Sequence, residues 1–258
     1  QSPSGGPKDV SPPKLVSSEP RNISTNFSGN KLVLNFDEYI TLKTPEKYLL
    51  ISPPLGNTPD IKLKGHSVVI KLPDSLRANT TYNFYFGDAI VDLAESNPLT
   101  NFNFAFSTGP QIDSLSLEGI VTDAYTRQPV KNALVMLYSD FTDSLPMKQI
   151  PTYVSRSGET GHFAFSSLAS GKFRAVALVD GNNDYKYNLP TELIGFSNDS
   201  VEPSYSAVAP GDTSGAKKDS IVIRKMPSVA IDLFPEPDSI QRILKSLIVT
   251  KDRLAVFF

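Results

Sequence analysis

Asp180, Asn182, Asp184, Lys186 and Asn188 stand at alternate positions of one polar stretch, Asp180-Gly181-Asn182-Asn183-Asp184-Tyr185-Lys186-Tyr187-Asn188. Oxygen-bearing side chains at every second residue, with the main-chain carbonyl of Lys186 between them, can wrap a hard cation. This is the pattern of Asp-x-Asn-x-Asp calcium loops. The stretch departs from that pattern in three places. The sixth position, usually Gly, is Tyr185; the twelfth is Thr191; and Glu192 falls one residue late. An Asn/Asp-rich turn extending a sheet edge is the competing reading. Calcium is the one cofactor the sequence suggests, and no other is expected.

The remaining reactive residue types are sparse. The chain has no cysteine and two histidines, His66 and His162, each directly after a glycine. Disulfides, thiolate metal sites and cysteine nucleophiles are therefore excluded within it. No Gly-x-Ser-x-Gly elbow is present to expose a serine nucleophile. Asp37 and Glu38 are neighbours at a strand end, so their carboxylates point to opposite faces and do not make a glycosidase pair. Asp88, Asp92 and Glu95 share one loop, in which Asp92 and Asn97 are expected to order the backbone by hydrogen bonding rather than to hold a metal. No catalytic residue is assigned, and the chain is not expected to be an enzyme. Tyr185 and Tyr187 flank polar residues and are candidate binding residues, as interface anchors or sugar platforms; half-buried loop packing is the alternative.

Bulk composition narrows the partners. Among 258 residues, 25 Lys and Arg stand against 27 Asp and Glu, a net charge of −2. No basic surplus is available to neutralise phosphates, so nucleic acid is not an expected partner. No apolar run reaches the length of a membrane-spanning helix, which leaves lipid as the expected means of membrane attachment.

The elements that must position these residues are strands. Lys31–Phe36, Tyr82-Asn83-Phe84-Tyr85-Phe86 and Phe102-Asn103-Phe104-Ala105-Phe106 alternate with period two, each placing one face on a core. The 21 prolines and 15 glycines break these runs at the spacing of β-sandwiches. The expected fold is all-β, with tandem β-sandwich domains. Residues 1–11 read as a flexible tether, 12–109 as a first domain, 110–113 as a short linker and 114–226 as a second domain. Residues 227–258 read as the start of a further β-unit, cut inside an apolar run.

Several motifs resemble known families. Pro3-Ser4-Gly5-Gly6-Pro7-Lys8-Asp9 followed by Pro12-Pro13 resembles the start of a family of Bacteroidota cell-envelope lipoproteins, just after their acylated cysteine. The strand Leu32–Phe36 with Asp37-Glu38, the segment Leu76–Tyr82, Asp92–Leu99 and the closing Phe106-Ser107-Thr108-Gly109 resemble bacterial Ig-like domains. Gly119-x-Val121-x-Asp123, Gln128-Pro129-Val130, Thr160-Gly161-x-Phe163-x-Phe165 and Ala177-Leu178-x-Asp180 look like a carboxypeptidase regulatory-like domain of prealbumin type, which carries no chemistry. Asp-Ser followed by an aliphatic residue occurs six times, at Ser75, Ser114, Ser144, Ser200, Ser220 and Ser239. Composition alone would supply about one or fewer. The triplet resembles the O-glycosylation signal of exported Bacteroidota proteins; a turn leading into a strand is the alternative.

Together the resemblances imply a non-catalytic, lipid-anchored outer-membrane lipoprotein. It would bind or scaffold a protein partner in a cell-envelope assembly, with the face of the membrane left open. A carbohydrate-binding accessory of a glycan-uptake system is the alternative.

Overall fold

The computed structural model describes residues 9–73, 76–100, 102–205, 228–236, 245–250 and 253–257. Ser75, Ser220, Ser239 and most of the expected tether lie outside the described residues. The fold is all-β. Its helices among the described residues are two single turns, α1 (Pro45–Tyr48) and α2 (Leu145–Lys148).

The first unit holds β1 (Leu15–Glu19), β2 (Lys31–Phe36), β3 (Ile40–Leu42), β4 (Leu50–Ser52), β5 (Asp60–Lys64), β6 (Ser67–Lys71), β7 (Thr81–Gly87), β8 (Ile90–Asp92) and β9 (Phe102–Ser107). One sheet runs β1-β2-β6-β5, a second β4-β7-β9, and β3 pairs with β8. Period-two patterning explains the core between them. Leu32, Leu34 and Phe36 of β2 are buried opposite Tyr82, Phe84 and Phe86 of β7 and Phe104 and Phe106 of β9. Ring contacts tie this layer together: Phe106 lies 4.5 Å from Phe27, 5.7 Å from Tyr82 and 5.9 Å from Phe84. Each such pair contributes about 1 kcal/mol beyond burial.

The second unit holds β10 (Leu115–Asp123), β11 (Leu134–Tyr138), β12 (Tyr153–Arg156), β13 (His162–Leu168), β14 (Arg174–Leu178), β15 (Leu193–Phe196), β16 (Ser204–Tyr205) and β17 (Ser228–Pro235). Their order is β12-β11-β14-β15-β17-β10-β13, with β16 on the far part of β10. This continuous ribbon folds over into a sandwich. β15 and β17 join one corner through only two residue pairs, and Ser155 Oγ donates to the Ala164 carbonyl at 2.5 Å across the opposite corner. The core between the layers contains Leu117 and Val121 of β10, Phe163 and Phe165 of β13, Val135 and Leu137 of β11, and Ile231 and Leu233 of β17.

β17 corrects the expected division of the chain. Ser228–Pro235, assigned from sequence to a further unit after 226, pairs in parallel with β10 from Glu118↔Ser228 to Asp123↔Leu233. It is an interior strand of the second unit. Thr122 Oγ1 donates to Asp232 Oδ1 at 2.5 Å and Arg127 donates to Asp232 Oδ2 at 2.7 Å, fixing that register from the side chains. The close fit also accounts for two glycines. A Cβ on Gly119 would lie 2.1 Å from the Val229 carbonyl oxygen, and one on Gly195 would lie 2.3 Å from that of Asp232. The later pair β18 (Lys245–Thr250) and β19 (Arg253–Phe257) forms an antiparallel hairpin of its own.

β11 is buried along its whole length. Its odd-numbered residues enter the inner core, while Leu134, Met136 and Tyr138 face outward into a second apolar cluster. That cluster is covered by Leu145 of α2, by Tyr185 and Tyr187 from the Asp180–Asn188 loop, and by Leu50 from the first unit.

Candidate binding cleft between the two β-units

The β4-β7-β9 sheet has an inner aromatic face and an outer, more polar one. Alternation that buries Tyr82, Phe84 and Phe86 turns Asn83 and Tyr85 outward. Cross-strand partners share that face: Ser52 stands opposite Asn83, and Leu50, Tyr85 and Asn103 form the next row. The outer face packs on β12 and β13 of the second unit. Asn83 Nδ2 donates to Ser166 Oγ at 2.7 Å, the Val154 N–H donates to Ser52 Oγ at 3.1 Å, and the Asp113 N–H donates to Thr81 Oγ1 at 2.9 Å. Leu50 is 7% exposed and belongs to the second unit's apolar cluster. Short linker, shared apolar residue and two direct hydrogen bonds, with a third from the linker residue Asp113, hold the two units against each other.

The contact does not fill the junction. A cleft of about 360 Å³ is lined by Ser52, Asn83, Tyr85 and Asn103 on one wall and by Val154, Arg156, His162 and Ser166 among others on the opposite wall. A second hollow of about 260 Å³ shares Arg156 and continues toward Lys131, Asn132, Asp180 and Asn183. Tyr85 is 41% exposed. Burial, with the Asp88 charge adding to it, pushes the Tyr85 phenol above its ordinary pKa, so it is a neutral donor at physiological pH. His162 Nε2 lies 3.5 Å from Glu118 Oε2. Asn83 is buried, and its Oδ1 has no hydrogen-bond partner. The cleft offers hydroxyls, amides and one aromatic face, which is binding chemistry.

Of the residues singled out in the sequence, the Asp180–Asn188 loop is built from its own hydrogen bonds. Asp180 accepts the N–H groups of Asn183 at 2.7 Å and Tyr185 at 2.9 Å. Asp184 accepts the Lys186 N–H at 2.9 Å and the side-chain amides of Asn182 at 3.2 Å and Asn188 at 2.5 Å. Glu192, which sequence spacing placed one residue late, is 1% exposed and closes the loop by accepting the N–H groups of Gly181, Asn188 and Leu189, each at 3.0 Å. Asn183 and Tyr185 have φ of 59° and 63°, the left-handed turns that let the chain coil around these carboxylates. The Asn182, Asp184 and Asn188 side chains thus converge, while Asp180 is engaged with the backbone of Asn183 and Tyr185. The amides of Asn182 and Asn188 present NH₂ to Asp184, and a half-turn of each amide would present oxygen instead. Among the described residues no group of three or more His, Cys, Asp or Glu is arranged to hold a metal.

Tyr185 and Tyr187 are half-buried on the second apolar cluster. Burial is the main cause raising the pKa of each phenol, which fits rings that lie on protein. Ser114 in the linker region and Ser200 are exposed, and Ser144 is partly exposed just before α2. Asp92 behaves as its loop predicts: its Oδ1 accepts the N–H groups of Glu95 at 2.5 Å and Ser96 at 2.9 Å, and its Oδ2 accepts that of Asn97 at 2.8 Å. The cleft residues were missed as a site in the sequence reading. The only signal was the polar phase of two alternating strands, which reads equally as solvent exposure.

Comparison with known proteins bears on this architecture. Residues 9–108 match the family of bacterial Ig-like domains, so the first unit is a domain of that family. No curated protein gives a significant sequence match. Solved structures with some similarity include the N-terminal part of the bacterial S-layer protein SbsC, at 12% identity and a TM-score of 0.26, covering 75% of this chain and 44% of that one. The pilus adhesin RrgA from Streptococcus pneumoniae matches at 13% identity and a TM-score of 0.24, covering 81% of this chain and 32% of the adhesin. The major pilin BcpA of Bacillus cereus matches at 9% identity and a TM-score of 0.24, covering 87% and 71%. The chain thus spans less than half the length of the first of these structures.

Proposed function

We propose that this chain is a non-catalytic binding and scaffolding component of a cell-envelope protein assembly. The observation that carries the reading is the fixed junction between the two units. Leu50 inserted into the neighbour's apolar cluster, together with the bonds Asn83–Ser166 and Ser52–Val154, makes a rigid tandem. A rigid tandem holds the loops of two sandwiches at a set separation, which reduces the ordering cost when both engage one partner. The Ig-like first domain suits such a role.

The lipid anchor, the outer-membrane location, the Bacteroidota lipoprotein relationship, the regulatory-like character of the second unit and O-glycosylation at the six Asp-Ser sites of the chain belong to the same proposal. They are supported by the sequence motifs given above. The experiment is affinity capture from detergent-solubilised outer membranes of the native host at low salt, using the full chain. One stoichiometric protein partner is the expected result. Recovery of the chain alone, from both whole envelopes and purified outer membrane, overturns the reading. A role as a carbohydrate-binding accessory is the second reading, favoured by the chemistry of the inter-unit cleft.

A further inference from the structure

We infer that the cleft between the β4-β7-β9 face and the β12–β13 corner binds a neutral carbohydrate chain. The inference deepens the second reading of function and rests on a binding role, with no dependence on a lipid anchor.

Three observations point to this ligand class. The first is the functional groups at the cleft: Ser52, Asn83, Asn103 and Ser166 supply hydroxyls and amides, and Tyr85 supplies a partly exposed ring beside them. Paired donors and acceptors next to an aromatic face match sugar hydroxyls and the apolar C–H face of a pyranose ring.

The second is Asn83. Its amide donates to Ser166 from one end, while Oδ1 at the other end is buried with no partner. Turning the amide over only exchanges which end is left unsatisfied. A buried polar atom of this kind is destabilising until something bonds to it. A hydroxyl entering the cleft can both donate to such a group and accept from it.

The third is what the corner no longer offers. An extended peptide docking here would need free main-chain groups on β12 and β13. The Val154 N–H is taken by Ser52, and the Ala164 carbonyl is taken by Ser155. Side-chain groups remain, which favours a ligand recognised through hydroxyls over a β-strand. Charge favours a neutral ligand as well. His162 faces Glu118, Lys131 pairs with Glu159, and Asp180 lines the adjoining hollow together with Arg156, so the path carries charges of both signs rather than a surface of one sign. The two hollows meeting at Arg156 make an elongated path, suited to several sugar units in a row.

The test is isothermal titration of the full chain with maltoheptaose, cellohexaose and chitohexaose, and with an unstructured decapeptide as the contrasting probe. Saturable binding of at least one oligosaccharide is expected. Tyr85→Ala should weaken it about tenfold, the loss of one ring contact. Asn103→Ala should weaken it in the same direction. Both positions face the cleft from outside the aromatic core, and an unchanged thermal midpoint confirms that each variant is folded. A crystal soaked in the bound sugar should show a hydroxyl within hydrogen-bond distance of Asn83. Heat with the decapeptide alone, no heat with any oligosaccharide, or sugar binding unchanged in both variants overturns the inference. Capture of a protein partner from membranes uses no added sugar and the titration uses no partner, so either result can fail while the other stands.

Discussion

Leu50 of the Ig-like domain sits 7% exposed among Leu134, Met136, Tyr138 and Val154 of the second unit, so one residue of the first sandwich completes the apolar cluster of its neighbour. Its cross-strand partner Tyr85 lies beside it at the cleft wall. The same row of side chains therefore closes the junction at one end and leaves it open at the other.

Leu50→Ala should cost about 2 kcal/mol and loosen the coupling between the units. In calorimetry the expected change is from one unfolding transition to two, with the second unit's midpoint lowered. A single transition at the parental midpoint would show that the units are coupled by other contacts.

Gly119→Ala places a methyl group where the Val229 carbonyl oxygen and the Phe163 ring already stand, at 2.1 and 2.5 Å from the ideal Cβ. Backbone on one side and a buried ring on the other leave no free direction for relief. The expected loss is about 3 kcal/mol, read from urea unfolding, and unchanged stability would mean that neither β17 nor the Phe163 ring stands against this position. Ala at the exposed neighbour Ile120 serves as the control.

Acid should destabilise the first domain through Asp92. Burial works to raise its pKa, but the N–H groups of Glu95, Asn97 and Ser96 favour the carboxylate and hold it below the ordinary value. A carboxyl depressed in the folded state contributes stability that is complete above its unfolded pKa of about 3.9. That contribution is lost as pH falls from there through the lower folded value. Asp123 and Asp232, lowered by hydrogen bonds from Thr126 and from Thr122 respectively, act in the same window on the second unit. Asp92→Asn should therefore lower the thermal midpoint at pH 7 and flatten its decline below pH 4. An equally steep decline in the variant would assign the acid sensitivity to other groups.

For the Asp180–Asn188 loop, the calcium proposal requires Asn182 and Asn188 to turn their amide oxygens toward Asp184. Calcium at ten times its dissociation constant should then add about 1.4 kcal/mol to the second unit. The measurement is the thermal midpoint in excess calcium against chelator, for the parent and for Asp184→Ala. An unchanged parental midpoint would leave a turn held by its own amides, in which Glu192→Ala still destabilises by removing the acceptor of three N–H groups.

The Asp-Ser triplets give a mass prediction. Protein from the native host should exceed the cytosolic recombinant chain in intact mass, with the excess on peptides carrying Ser114, Ser144 or Ser200 among the described sites. Ser75, Ser220 and Ser239 should be mapped in the same digest. Equal masses from the two sources would remove the modification from the proposal.

What the sequence determined was local. Alternation in Lys31–Phe36, Thr81–Gly87 and Phe102–Ser107 fixed which side chains face a core, because successive residues of a strand point to opposite sides. Asp92 and the residues after it carried their own hydrogen-bonding instructions, since donor and acceptor lie within five positions of each other. The closing Phe106-Ser107-Thr108-Gly109 marked the end of the Ig-like domain by its resemblance alone, since its hydrogen bonds reach to Ser24, Asn26 and Thr80. Relationships across distance were a different matter. That Ser228–Pro235 lies beside Glu118–Asp123 depends on a pairing over about a hundred residues. In the sequence it left only two glycines, Gly119 and Gly195, whose missing side chains acquire meaning once a neighbouring strand is in place. The outward residues Asn83 and Tyr85 were legible as the polar phase of an alternating strand and became the wall of a cleft, with Leu50 beside them, only when the second unit packed against them. An alternating strand specifies which two sides it has; the tertiary structure decides what stands on each.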